Sequence, residues 1–512
     1  MNQKIICIVL DGWGIAKAGK GNCISQAKTP NFDEFIKNFP HSKLNASGEA
    51  VGLPKGSQGN SEVGHLHMGA GRIVWQPYEL INRLIKNKKF FKNKSFLDAI
   101  ENCKKNNSNL HLMGLCSDEG VHATTKHLLA LLELAKEKKF KRVVVHCFLD
   151  GRDVPEKSAV KYIKQIESAL KKTKTGKIGS IVGRYYAMDR DKNWDRTKEA
   201  YDLLTLGKGF EAKNAIEGIK QAYSRGDKTD YYVQPTIIKT KNEKPAIIND
   251  KDSIIFFNFR TDRPKQLSLA FTSKKFNYFK RKKQVKTFFV TFTDYKNGIN
   301  ANVAFEKTEV KNTLGEILSK NNYTQLRLAE TEKTAHVTYF FNSQKEKKSK
   351  GEYHITVPSA KVKSYDLKPE MSAKEISEIA IKEINTKEPG FIFMNFANLD
   401  LVGHAAVISA EIKACEVVDT YMKKVVDAGL KKNYTIILTA DHGSGEEKLY
   451  PNGEAKPSHS CNPVNFILVS NEEKLKNIKL KNGGLIDIAP TILDLLKIRK
   501  PKEMTGISLI KH

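Results

Sequence analysis

Two apolar runs more than 400 residues apart each lead directly into an aspartate, and this constrains the chain more than any other feature. Lys4–Leu10 (KIICIVL) delivers Asp11-Gly12, and Tyr434–Ala440 (YTIILTA) delivers Asp441-His442-Gly443. A short, nearly continuous apolar run reads as a strand covered on both faces, as in parallel sheets flanked by helices. Open sheets of that kind place their ligands at the carboxyl ends of the strands. Asp400, His404 and a lone His459 add donors of the same types. Three carboxylates and three imidazoles suit two divalent ions held side by side.

Further strand-like runs occur at 110–115, 142–149, 178–182, 254–259, 287–293, 391–397 and 435–440. Helical spacing fills stretches between them, such as Thr125–Lys138 and Ala373–Ile384. The alternation predicts an α/β protein with mostly parallel sheets flanked by helices. At 512 residues the chain exceeds one ordinary core, so two domains are expected. The metal-type residues cluster at the two ends, whereas the middle is rich in arginine. The ends must therefore fold together around an insertion. The expected division is a metal domain of residues 1–73 and 307–512, an inserted substrate-binding domain of residues 79–296, and hinges at 74–78 and 297–306.

Composition narrows the function. No apolar run is long enough to span a bilayer, and Asp11 interrupts the first one too early for a signal peptide. Seven cysteines, an odd number without a C-x-x-C pair, read as reduced thiols. A cytoplasmic protein is expected. The net charge of +29 raises nucleic-acid binding as an alternative. Its lysines, however, are spread in short clusters with no aromatic-basic module, zinc-finger spacing or helix-turn-helix pattern. Solvated faces that attract small anions are the simpler meaning.

Asp400 and His404 are four apart and face the same way on a helical turn. Taken alone, such a pair is more often an exposed ion pair. In Gly59-Asn60-Ser61-Glu62-Val63-Gly64-His65, glycines flank a serine at a loop opening into a helix. Ser61 there is either a nucleophile beside free N–H groups or simply a cap. The middle segment holds His122, Arg152, Asp153, Arg184, Arg190, Arg260 and Arg263, most of them just after strand-like runs. Guanidinium groups bind carboxylate or phosphate through two bonds, so the group implies a small substrate with more than one anionic centre.

These motifs, from LDGWG, GNSEVGHLHMGAGR, HLMGLCSDEGVH, FLDGRDVP, GRYYAMDRD and NFRTDR to LRLAETEKTAHVTYFF, DLVGH, TADHG and SHSCNPV, resemble those of the cofactor-independent (2,3-bisphosphoglycerate-independent) phosphoglycerate mutases of the alkaline phosphatase superfamily. The resemblance implies an alkaline-phosphatase-like metal domain with an inserted transferase domain. It implies interconversion of 3- and 2-phosphoglycerate with two divalent ions, tilted toward Mn2+, and without 2,3-bisphosphoglycerate. Asp400, His404 and His459 would hold one ion, and Asp11, Asp441, His442 and Ser61 the other. Ser61 would be transiently phosphorylated, Lys333 would reach the transferring group, and Asp153 would move a proton. His122, Arg152, Asp153, Arg184, Arg190, Arg260 and Arg263 would hold substrate, and closure of the arginine domain would exclude water. A monomer without nucleic-acid or membrane partners is expected. A metal-dependent phosphohydrolase is the nearest alternative. Ser444-Gly445-Glu446, Asp400-Leu401 and Phe341-Asn342-Ser343 depart from the usual motifs without removing a ligand.

Overall fold

The computed structural model describes residues 3–240, 242–296, 298–307 and 309–511. The chain divides into two units, Met1–Gln76 with Glu309–His512, and Pro77–Thr308. Residue 297, which opens the second expected hinge, lies outside the described residues. Asn302–Val303 in the same stretch pairs with Phe288–Thr291, and Phe305 is buried in that unit's core. The first expected hinge runs into a helix at Pro77–Lys86.

The first unit is built on an eight-stranded sheet in the order Glu352–Val357, Gln325–Glu330, Phe391–Phe396, Lys4–Leu10, Tyr434–Thr439, Val464–Val469, His41–Asn45 and Gly483–Gly484. Lys4–Leu10 lies in the middle, parallel to both neighbours, with Ile5 opposite Phe391 on one side and Thr435 on the other. Ile5 through Val9 are wholly buried, which explains the unbroken apolar run. Because these three strands are parallel and in close register, their carboxyl ends release Asp11, the Asn398–Gly403 helix with Asp400, and Asp441 at one edge. Only the Val464–Val469 strand runs antiparallel to its neighbours.

The second unit also has eight strands, in the order Asn302–Val303, Phe288–Thr291, Ser253–Phe256, Leu110–Leu115, Val143–Leu149, Gly176–Gly183, Thr236–Ile238 and Phe210–Ala212. One pairing, between Gly176–Gly183 and Thr236–Ile238, is antiparallel. The strand expected over 254–259 stops at Phe256. Beyond it the Asn258 Oδ1 accepts from the Leu115 N–H at 3.0 Å, so a side chain continues the ladder where the backbone turns away.

Candidate functional site

In the first unit, Ser61 opens the Ser61–Ala70 helix, and its role in that helix is decided by its neighbour. Asn60 is the cap: its Oδ1 accepts from the Val63 N–H at 3.0 Å. The Ser61 hydroxyl is thereby free to face the strand ends. Gly64 lets the helix approach them, since a Cβ there would lie 2.6 Å from the Asp441 carbonyl oxygen. Gly12, at φ +78°, turns the chain after Asp11 in a conformation that L side chains rarely adopt.

Ser61 Oγ lies 3.2 Å from Asp11 Oδ1, 3.1 Å from His442 Nε2 and 2.6 Å from Lys333 Nζ. Lys333 follows the buried strand Gln325–Glu330, and its ammonium also reaches Asp400 Oδ2 at 2.6 Å and Asp11 Oδ2 at 2.9 Å. Burial alone would lower its pKa, but Asp11, Asp400 and Asp441 outweigh burial and hold it above the ordinary lysine range. His442 responds the same way: burial opposes its charge, yet Asp441, Asp11 and Asp400 push it up to about 10. Asp441 and Asp400 are conversely held well below the usual carboxylate range: burial opposes this, but facing His442 and Lys333 prevail.

The donors fit divalent cations. Among the described residues two groups converge within 4.8 Å, Asp400 with His442 and His459, and Asp11 with His65 and Asp441. Asp400 Oδ1, Asp441 Oδ2 and His459 Nε2 are buried and make no hydrogen bond, although His459 Nε2 lies only 2.9 Å from Asp400 Oδ1. Three imidazoles have their Nδ1 against a backbone carbonyl: His459 on Gly59 at 2.8 Å, His404 on Pro457 at 3.1 Å and His442 on Gly443 at 3.2 Å. A carbonyl only accepts, so each Nδ1 carries a proton, which leaves Nε2 as the ring atom turned toward the site. His404 is the outlier of the expected set. Its Nε2 is 3.5 Å from Asp400 Oδ1, but its side chain is half exposed and belongs to neither converging group.

His65 and Asn395 were not singled out by the sequence reading. The Asn395 amide donates to Asp11 Oδ2 at 2.8 Å and lies 3.1 Å from His65 Nε2, while His65 Nδ1 is 3.3 Å from Asp441 Oδ2. The pair braces two of the aspartates. The available signal was position: His65 is one helical turn beyond Ser61, and Asn395 sits near the end of a central strand.

In the second unit, the substrate-type residues gather at the carboxyl ends of its strands. Arg184 is buried and bridges Asp150 Oδ1 at 2.5 Å and Asp153 Oδ2 at 2.6 Å. Arg190 and Arg260 both engage Asp262, at 2.6 and 3.0 Å. His122 Nε2 is 3.8 Å from Asp153 Oδ2 and its Nδ1 is 3.7 Å from Asp262 Oδ1. Burial, then Arg184, pushes His122 down to about 4. Arg263 donates to the Met188 carbonyl at 3.1 Å and is held below its usual range by burial and by Arg184. Arg152 is exposed beside them. Asp150 and Asp262, which organise this group, escaped the sequence reading although both lie inside its motifs.

A central parallel sheet whose strand ends gather carboxylates, imidazoles and a serine defines the first unit as a phosphoryl-transfer scaffold of the alkaline phosphatase superfamily. The family model described as BPG-independent PGAM N-terminus matches residues 81–297, and the Sulfatase model matches residues 408–498. The chain is 50% identical over 511 residues to the 2,3-bisphosphoglycerate-independent phosphoglycerate mutase 1 of Methanosarcina barkeri, covering 99% of this chain and 98% of that one. It is 47% identical over 515 residues to the corresponding Clostridium botulinum enzyme, covering all of both. A solved Leishmania mexicana phosphoglycerate mutase, crystallised at low cobalt concentration, matches with a TM-score of 0.64 and 30% identity over 100% of this chain and 98% of that one. The chain belongs to the 2,3-bisphosphoglycerate-independent phosphoglycerate mutase family. Among the described residues no helix is long and apolar enough to cross a membrane.

Proposed function

We infer that the chain interconverts 3-phosphoglycerate and 2-phosphoglycerate, the reaction of its family, with Ser61 carrying the phosphoryl group between two attacks. The supporting observation is the Ser61 hydroxyl itself, buried within 3.2 Å of a carboxylate, an imidazole and an ammonium. Two divalent cations, Mn2+ by family resemblance, would lower the pKa of that hydroxyl and offset charge on the phosphoryl oxygens. Asp400, His404 and His459 are the proposed holders of one, and Asp11, Asp441, His442 and Ser61 of the other.

Ser61 Oγ attacks phosphorus, its proton leaving toward the Asp11 carboxylate beside it, as the bond to the glycerate oxygen breaks. Lys333 and the open N–H groups of the Ser61–Ala70 helix stabilise charge on the equatorial oxygens. Glycerate stays bound through its carboxylate, with Arg184, Arg190 and Arg260 as the proposed clamp and His122, Arg152 and Arg263 beside them. Its other hydroxyl then attacks the phosphoserine, giving its proton to Asp153, which passes it to the glycerate oxygen released in the first step. Burial would raise the pKa of Asp153, but Arg184 outweighs it and keeps the carboxylate ionised and able to accept. Ser61 leaves as the hydroxyl. The protein would act as a cytoplasmic monomer on a free small molecule.

Supplying 3-phosphoglycerate to the Mn2+-loaded enzyme and counting both products tests this. Mostly 2-phosphoglycerate is expected. Mostly free phosphate would assign the protein to the phosphohydrolases instead.

A further inference from the structure

We propose that Glu446 is a positioning residue that locks the metal-ligand loops of the first unit into one cradle. It makes no contact with Ser61 and stands outside the expected ligand set. Its side chain is buried, and among the described residues four donors reach it. Oε2 accepts from the Gly14 N–H at 3.1 Å and from the Ser444 N–H at 2.8 Å. Oε1 accepts from the Asn462 side-chain amide at 3.0 Å and from the Ser460 hydroxyl.

The partners matter more than their number. Gly14 is three residues past Asp11, Ser444 is two past His442, and Ser460 directly follows His459. Gly14 follows Lys4–Leu10, whereas Ser444 and Ser460 lie near the two ends of the connection between Tyr434–Thr439 and Val464–Val469, more than 400 residues further on. One carboxylate thus fixes the spacing among an aspartate and two imidazoles whose Nε2 atoms converge. Two glycines make room for it. A Cβ on Gly14 would lie 2.3 Å from the Glu446 carboxyl carbon, and one on Gly443 would lie 2.4 Å from its Oε1. The glycine after Asp441-His442 therefore serves a side chain behind the ligands as well as the turn that aims them. Lys448, donating to Ser444 Oγ at 3.0 Å, braces the same loop from farther back. Groups that orient ligands in this way ordinarily set metal affinity.

The inference rests on the cation reading given above, and one titration separates the two. Metal-free wild type and E446Q are titrated with Mn2+ by calorimetry, and each is melted without metal. Glutamine keeps the shape but turns one oxygen into a donor facing other donors. The expected result is Mn2+ binding weakened about 10- to 100-fold in E446Q, with the metal-free protein still folded and turnover recovering as Mn2+ is raised. S460A, which removes only the arm next to His459, is expected to weaken Mn2+ about 10-fold. It also supplies the measurement should E446Q fail to fold. Failure of wild type to bind Mn2+ would overturn the cation reading. Binding in wild type with affinities in E446Q or S460A within twofold of it would overturn the role of Glu446 alone.

Discussion

The two units place opposite charge balances at the carboxyl ends of similar sheets. In the first, three buried aspartates, Asp11, Asp400 and Asp441, share one permanent cation, Lys333. In the second, Arg184, Arg190 and Arg260 pair with Asp150, Asp153 and Asp262, while Arg263 lies near Arg184 and Arg152 near Asp153. One site is short of positive charge and suits metal ions; the other has positive charge to spare and suits an anion. Two buried imidazoles register the difference. Burial opposes charge on both, yet His442 is pushed up to about 10 by its aspartates while His122 falls to about 4 beside Arg184. Burial lowers a histidine, as it does His122, and the close carboxylates around His442 are what reverse it.

The sharpest way to break this comparison is S61A. It is expected to cut mutase turnover by at least about 10^4-fold while Mn2+ binding, measured by titration, persists. Retained turnover would move the nucleophile elsewhere. R184M tests the second unit. Removing that guanidinium leaves Asp150 and Asp153 facing each other without it, at a cost of about 3–5 kcal/mol in denaturant unfolding. An unchanged unfolding midpoint would mean the pair is not held by Arg184.

Acid should weaken the first unit through His67, away from the metal ligands. Its Nδ1 donates to the Val63 carbonyl at 2.6 Å and its Nε2 accepts from the Val74 N–H at 3.0 Å, so only the neutral ring satisfies both. Burial lowers its pKa from 6.5 to about 4. A depressed folded pKa means the contribution is complete above pH 6.5 and is lost as pH falls toward 4. The size is about 3 kcal/mol. Unfolding of wild type and H67Q at pH 7 and pH 4.5 checks this, and equal acid sensitivity in both would remove His67 as the cause. The smallest effect is that of metal on stability. Mn2+ at about 100 times its dissociation constant should stabilise the protein by about 2.7 kcal/mol, and D400N should abolish most of that gain. A melting temperature indifferent to Mn2+ would contradict the charge deficit of the first site.

Much of this was legible in the sequence because buried parallel strands advertise themselves. Lys4–Leu10, Phe391–Phe396 and Tyr434–Thr439 are apolar on both faces, and the aspartates that follow them stand out for that reason. Less conspicuous is Gln325–Glu330. It carries Gln325, Arg327 and Glu330 yet is wholly buried, and it delivers Lys333. Arg327 lies 4.8 Å from the centre of the Phe341 ring, so its polarity is absorbed by a partner that no local pattern indicates. The departure at Phe341-Asn342-Ser343 is handled in the same way. Ser343 adopts φ 58° without being glycine, and Asn342 donates to Glu352 Oε1 at 2.8 Å.

By itself the sequence determined the strands, their terminal ligands and the family, since these depend on residue type and short-range order. Tertiary structure alone decided that Asn60 rather than Ser61 caps the helix, that His404 stands apart from the converging donors, and that Glu446 ties the distant turn at Gly14 to the segments that carry His442 and His459. Each of those turns on a contact of two to four ångströms between chosen atoms. Such distances follow from packing across the whole sheet, and no spacing along the chain encodes them.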